Sequence, residues 1–482
     1  GWMRNGFKLR GSVDFNQDEK TSYSLGGEYG TFGFGMDNYM HIHEYSEPGS
    51  GNRYYINDDK RRWTRDYYSL NGSFRKAFDR EGQSLTLYGQ YNNRDGSEVQ
   101  DKTEFDTDAD WNSIDQFPLL LRAVEAGPSQ QVRFESDYTH PLGASGKMET
   151  GYHFRWGKED ETARTETWDY DRGEWLEDEY YYKESKYRRS IHAVYGIYSN
   201  SWKTLEYQLG LRGEYTYREV TVVNTDETSL VDRFDYFPSL HLSNRFNDKN
   251  QVMASYSRRI ERPRGYYLEP YETYLDEDTR RIGNPALLPE YTDSYEMGYL
   301  RTLEKGNVSA DVYYRKTDNK ITTIQTVDPS TGILYFTYEN LNLDKAMGVE
   351  GSFMYDFTKW FNLNLSGTFY NYVLEDKTTI ENGTKSSNNW DVRAITSFKL
   401  PTQTRVQLNL SYDSPTVAAQ GNREENYYMD FTIRQDLLKK QLNITFKIDD
   451  VFATRREVTE TFGENFYVFN DQRRESRIMT LT

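Results

Sequence analysis

The feature that most constrains this chain is a period of two. In Arg405–Ser414, RVQLNLSYDS, the apolar Val406, Leu408, Leu410 and Tyr412 alternate with Gln407, Asn409, Ser411 and Asp413. Side chains two apart share one face of a strand, so this stretch reads as a strand with one apolar and one polar face. The pattern recurs from end to end. In FKLRGSVDF, Phe7, Leu9, Gly11, Val13 and Phe15 share a face; in SLTLYGQY, Leu85, Leu87, Gly89 and Tyr91 do. The same holds for Tyr207, Leu209, Leu211, Gly213 and Tyr215, for Phe361, Leu363, Leu365 and Phe369, and for Leu442, Ile444, Phe446 and Ile448.

Composition bears on what those apolar faces touch. Only 36% of the 482 residues are hydrophobic, so a large dry core is out of reach. With 42 Tyr, 34 Gly and 12 Pro, the chain has the make-up of an all-β protein. No apolar run approaches the ~18 residues of a spanning helix. The absence of Cys excludes disulfides, thiolate metal ligands and a thiol nucleophile, and it fits an envelope protein of a Gram-negative bacterium. A net charge of −17 argues against nucleic acid as a partner. The N-terminal GWMRNGFKLRG has no apolar signal region and already reads as strand. The 482 residues are therefore read as part of a longer precursor.

Two kinds of connection alternate along the chain. Nine are short and polar, near 16–19, 79–82, 141–146, 199–201, 247–250, 304–306, 358–360, 401–403 and 437–440. The others are mostly long and charged, as at 46–58, 101–128, 165–180 and 264–290. Short turns on one side and longer loops on the other are the arrangement of a transmembrane antiparallel β-barrel. Nothing repeats at a fixed period, as a solenoid would require. Nine short turns imply about nineteen strands in a single barrel domain, 1–482. Bacterial barrels have even strand numbers. Three further strands before Gly1 would make 22, and one would make 20. The apolar faces are then expected to meet lipid and the polar faces a wet or plugged lumen. Backbone groups in lipid must be paired within the protein, which a closed barrel achieves. Stretches such as 146–168 exceed the ~10 residues that cross a bilayer, so the strands should project beyond it on the outer side.

One block carries a family resemblance. Residues 255–299 contain Tyr256-Ser257-Arg258-Arg259, Arg262-Pro263, Leu268–Pro270, Gly283-Asn284-Pro285 and Pro289-Glu290, leading to a strand with Glu296. With YYRKTDNKITTI at 313–324, Glu339–Leu341, GVEGSF at 348–353 and DDVFATRREV at 449–458, this resembles the TonB-dependent receptor-like outer-membrane barrels of Bacteroidota. The resemblance implies a 22-stranded barrel, an N-terminal plug, a TonB box, and uptake of a scarce nutrient driven through TonB. The sequence itself contains neither plug nor TonB box, and it ends at Thr482 instead of an aromatic residue.

Candidate sites divide between structural and ligand-binding readings. Arg259, Arg262, Pro263, Gly283, Asn284, Pro285, Pro289 and Glu290 form the family-motif loop. Pro and Gly fix turns, so loop architecture outweighs direct ligand contact. Arg259 or Arg262 would pair with Asp276, Glu277 or Asp278. Asp106, Asp108 and Asp110 alternate like the start of a calcium loop, but Trp111 stands where such loops have Gly. A solvated acidic loop is the simpler reading there. His41 and His43 share a strand face without an evident third ligand. The acidic run 159–184 would capture a cationic ligand or, more simply, form a hydrated rim that meets lipopolysaccharide through divalent ions. Tyr180, Tyr181 and Tyr182 would stack on sugars or join an interfacial aromatic girdle. No nucleophile elbow, phosphate loop or zinc signature is present, so no catalytic residue and no cofactor beyond that calcium candidate is assigned.

The expectation is an outer-membrane receptor importing an unidentified substrate, set in lipid and lipopolysaccharide. It would work with the TonB complex where plug and TonB box exist. The rival is a non-transporting barrel, a structural or assembly subunit with outer-membrane protein or lipoprotein partners. A barrel enzyme is a third and weaker reading, since no motif supports it.

Overall fold

A computed structural model describes residues 2–46, 50–276, 279–341, 343–376, 383–463, 466–473 and 475–482. Among them, strands account for nearly all regular structure, and no helix is long and apolar enough to cross a membrane. Strands β1 to β6 (Trp2–Asn16, Thr21–Ser46, Ser50–Ala77, Ser84–Thr107, Leu119–Leu142, Gly146–Asp169) each pair antiparallel with the next. The short β7 (Glu174–Glu177) folds back on the far end of β6. There follow β8 to β11 (Lys183–Trp202, Leu205–Val222, Glu227–Asn247, Asn250–Glu261) and the hairpin β12 (Glu272–Asp276) and β13 (Thr279–Ile282). Next come β14 (Glu290–Leu303), β15 (Gly306–Asp318), and the hairpin β16 (Ile321–Val327) and β17 (Leu334–Asn340). Strands β18 to β21 are Leu343–Asp356, Phe361–Asp376, Gly383–Lys399 and Thr404–Asp413. Then β22 (Thr416–Ala418), β23 (Gly421–Arg423), β24 (Asn426–Leu437), β25 (Leu442–Ile448), β26 (Glu457–Gly463), β27 (Phe466–Gln472) and β28 (Met479–Leu481) complete the order.

Twenty of these strands form one sheet, in which each neighbour in sequence is a neighbour in space apart from the inserted hairpins. Setting aside the four-residue β7, nineteen strands run between the two sets of connections, as the turn count predicts. All nine short connections join paired strands. One is displaced: the turn near 199–201 sits at Lys203, whose φ is 55°, because β8 continues to Trp202.

The long connections are shorter than their charge suggested. Of 46–58, all but the central few residues belong to β2 and β3, paired as far as Ser46 and Ser50. Of 101–128, the stretch to Thr107 and the stretch from Leu119 are strand. Charged residues there alternate and satisfy their backbones in a ladder, so high polarity does not mark loop.

The chain divides into two compact units. The first is Gly1–Ile197, Arg212–Tyr236 and Gly265–Ala286; the second is Tyr198–Leu211, Phe237–Arg264 and Leu287–Thr482. Each has the same inverted polarity. In the second unit, Leu410 is flanked across the ladder by Ala394 and Met429, Leu408 by Thr396 and Phe431, and Val406 by Phe398 and Ile433. This apolar face is the uncovered one: Leu410 is 46% exposed and Phe369 58%. In the first unit Asn57, Asp59, Gln100, Lys102 and Glu104 are all buried, beside apolar residues such as Ile56 and Leu121. Gln100 donates to both oxygens of Asp59, which also meets Arg61 Nε at 3.2 Å. An apolar skin over a hydrogen-bonded charged face suits lipid on one side and water or protein on the other.

Candidate functional site

Strand register assembles a site that lies scattered in sequence. On the polar face of the first unit, one lateral row joins Arg4, Phe34, Trp63, Glu98, Glu125 and Ala163, one residue from each of six neighbouring strands. Phe34 and Trp63 pack with ring centroids 5.1 Å apart. The Trp63 indole N–H donates to Glu98 Oε2 at 2.6 Å, and Arg61 reaches the other oxygen at 3.8 Å. Glu98 and Glu125 stand directly opposite each other. Like charges in that position oppose pairing, so this row is not explained by stability.

In the neighbouring row Gly96 faces Gly127. A Cβ on Gly127 would collide with the carbonyl oxygen of Asp160. Only glycine allows β5 and β6 to close there. The result is a cavity of about 600 Å³ walled by Phe32, Phe34, Trp63, Glu98, Glu125 and Glu161. A smaller space of about 130 Å³ adjoins it, sharing Glu159 and Glu161 and reaching Glu269.

The carboxylates come from separate elements. Glu98 lies on β4, Glu125 on β5, Glu159 and Glu161 on β6, and Glu269 on the segment before β12. Arg61 reaches Glu98 at 3.8 Å, Arg281 pairs with Glu269 at 3.0 Å, and Arg65 and Arg94 line the larger cavity as well. The Tyr271 hydroxyl donates to Glu161 at 3.4 Å. The apolar alternation of β4 ends at Tyr91, and the ~10 residues nearest each short turn suffice to cross a bilayer. Glu98, Glu125, Glu161 and Glu269 lie beyond that span. Burial, reinforced by Glu269 and Glu125, lifts Glu161 to about 8. Burial and Glu125 lift Glu269 to about 7. Burial and Glu98 raise Glu125. The cavity wall therefore holds protons near neutrality and can exchange them against a bound charge.

The family-motif residues do something else. Gly283 N–H donates to Glu269 O at 2.8 Å and Asn284 N–H to Tyr267 O at 2.6 Å, closing 267–284 on itself around the buried Leu268. A Cβ on Gly283 would meet the Glu269 backbone. Pro285 O accepts from Arg218 and Ser229. In the second unit, Asn340 brackets Leu288 by donating to its carbonyl at 3.0 Å and accepting its N–H at 2.8 Å. Pro289 O accepts from Asn319, and Glu290 accepts the Ile321 N–H and meets Lys320 at 3.3 Å. The motif segments LLPE, DNK and EN are thus one another's hydrogen-bond partners, while GNP bonds elsewhere. Arg259 is exposed, Arg262 half-buried and Pro263 buried. Of the carboxylates proposed for these arginines, Asp276 is the last residue of β12, and Glu277 and Asp278 lie outside the described residues.

Asp106, Asp108 and Asp110 have separate surroundings. Asp106 pairs with Arg53 at 2.9 Å, and Asp108 Oδ1 caps the backbone of Asp110 and Asn112. Asp110 is exposed. Among the described residues no three His, Cys, Asp or Glu side chains converge in metal-ligand fashion. His41 stacks on Trp111 at 4.5 Å and His43 on Tyr54 at 4.1 Å. Of the acidic run, Asp160 meets Lys158, while Glu159 and Glu161 enter the cavity. Tyr180 donates to Glu272, and Tyr181 packs edge-on to Tyr274 and accepts from Arg280. This Tyr cluster therefore braces the β12–β13 hairpin. Glu98, Glu125, Trp63 and Arg281 were not singled out from sequence, and Glu269 only within the Leu268–Pro270 segment; register brings the strand residues together, and an ion pair joins Arg281 to Glu269.

An apolar skin, a charged inner face and nineteen antiparallel strands joined by alternating short turns and longer excursions define an integral outer-membrane strand protein. The sequence pattern of the outer membrane protein beta-barrel family matches residues 76–482, and the chain belongs to that family. No curated protein matches the chain. Among solved structures, it resembles the siderophore receptor PiuA from Acinetobacter baumannii, with 14% identity and a TM-score of 0.55 over 98% of this chain and 80% of that one. It also resembles the ferric citrate transporter FecA in its unliganded form, with 11% identity and a TM-score of 0.53 over 99% and 77%. A third is the ferric yersiniabactin uptake receptor FyuA from Yersinia pestis, with 11% identity and a TM-score of 0.51 over 98% and 78%. At these identities the likeness is one of fold.

Proposed function

We propose that this chain is the barrel of a TonB-dependent importer that recognises its solute on the polar face of the first unit. The cavity of about 600 Å³ carries this reading. Its volume lies within the range of small-molecule sites, and it combines an aromatic wall with a few convergent charges. A purely structural sheet gains nothing from opposed carboxylates and a glycine-enforced hollow. The fold neighbours named above are siderophore and iron-complex receptors, which supports import. The motif block Tyr256–Glu296 favours the Bacteroidota branch. Recognition here is by contact and charge, without bond chemistry.

The test is uptake of radiolabelled iron, supplied as ferric citrate and as a ferric catecholate, in native cells with and without the gene. The E98Q/E125Q variant and a protonophore complete the set. Import predicts loss of at least one uptake on deletion, the same loss with protonophore, and an altered uptake in the variant. Unchanged uptake of both, with an outer-membrane partner co-purifying in fixed ratio, would favour the assembly-subunit reading.

A further inference from the structure

The acidic cavity continues toward the short turns. A second hollow of about 320 Å³ adjoins it on the same sheet, and Arg94 lines both. Apart from Gly27, Tyr68 and Asn93, the lining of this hollow belongs to the polar face of β1 to β4. Tyr67 and Asn71 lie down over β2 because Gly30 and Gly26 carry no Cβ there. A Cβ on Gly30 would come within 2.7 Å of the Tyr67 hydroxyl, and one on Gly26 within 2.7 Å of Asn71 Oδ1. Small Ser69 stands between the two and accepts from the Gln90 amide at 3.4 Å. Amides, hydroxyls and guanidiniums therefore make up most of the wall.

Charge changes sign from one hollow to the next. Register sorts the polar face into rows two residues apart, ~7 Å along the strands. The first row holds Glu98 and Glu125. The second carries Arg65, and the third Arg94 in line with Tyr67 and Ser129. Glu161 and Glu159 close these two levels on β6. The fourth row joins Arg10, Glu28, Ser69 and Asn92. Its one carboxylate, Glu28, is already held by Lys8 at 3.4 Å. Arg65, Arg94 and Arg10 are exposed and make no ion pair among the described residues. The deeper hollow thus combines two uncompensated guanidiniums, Arg94 and Arg10, with neutral hydrogen-bonding groups.

Arg10 stands on β1 and Arg94 on β4, three strand spacings or ~14 Å apart along the sheet. Guanidiniums so separated suit different acidic groups of one molecule better than a single compact anion. Each presents a planar fork that matches a carboxylate. We propose that the deeper hollow is a second subsite, which takes the carboxylates of a small polycarboxylate, free or as its metal chelate. Arg94, common to both hollows, passes them down from the first. The direction of travel, from acidic mouth to basic floor, rests on the import reading, but the subsite itself is testable without transport.

The test measures binding of citrate and of ferric citrate to the purified full-length chain in detergent, by isothermal titration calorimetry at fixed ionic strength. R10Q and R94Q are each expected to weaken both at least ~10-fold, through loss of one charge-assisted contact. R10K should keep most of the binding, which separates loss of charge from loss of fold. R393Q, on the polar face of the second unit, should match the unsubstituted chain. Triethyl citrate, which carries no charge, should not bind. Equal affinities of R10Q and the unsubstituted chain would overturn the proposal, as would equal binding of triethyl citrate. So would inorganic phosphate binding as tightly as citrate, which would mark a general anion site. Failure of the import reading looks different: iron uptake would be unchanged by deletion of the gene while citrate binding is still lost in R10Q.

Discussion

Replacing Glu161 by Gln tests the electrostatics of the acidic cavity directly. A carboxyl lifted from 4.5 to about 8 holds a proton in the folded chain that the unfolded chain has already released. At 1.36 kcal/mol per pH unit the upper limit of the associated penalty is ~5 kcal/mol, and water in an open hollow reduces it to ~2 kcal/mol. The sign follows from proton counting. Below about 4.5 both states are protonated and the group contributes no difference. Between about 4.5 and 8 the folded state binds more protons, so stability falls as pH rises, and above about 8 the full penalty persists. E161Q cannot ionise. The variant should equal the parent near pH 4 and exceed it by ~2 kcal/mol near pH 9, with the gap opening across the interval. Reversible urea unfolding in detergent, followed by tryptophan fluorescence at several pH values, measures this gap. A carboxyl-carbon NMR titration on Glu-labelled chain gives the ionisation independently. A gap that stays flat from pH 4 to 9, or a Glu161 titration near 4.5, would refute the reasoning.

Three further substitutions test other parts of the structure. G127A should break the close approach of β5 to Asp160 and cost ~3 kcal/mol or more, lowering the temperature at which the gel mobility of the folded form is lost, whereas G157A, with nearest neighbours at 3.8 Å, should be nearly neutral. L410R places a charge on the exposed apolar face and should cost ~2–4 kcal/mol if it lies near mid-bilayer, reducing the folded fraction in outer membranes, while N409R on the polar face is tolerated. N340A removes the bracket on Leu288 and should cost ~2 kcal/mol locally, read as faster protease cleavage within 284–290 and a small change in global unfolding.

The period-two alternation by itself determined the nineteen long strands, their antiparallel order and the apolar face, though neither the far ends of those strands nor the inserted hairpins. Each follows from the pleat, which sends successive side chains to opposite faces whatever lies beside them. Within the motif block, Gly283 and Asn284 satisfy hydrogen bonds close by in the chain, whereas Pro285 and Leu288 meet partners that no local pattern reveals, Arg218, Ser229 and Asn340. What sequence could not determine was register between strands. Phe34, Trp63, Glu98 and Glu125 are far apart in the chain and adjacent in one row, and a slip of one residue would send Glu98 to the other face. Local chemistry fixed which face each residue takes, and long-range pairing decided which residues on that face became neighbours.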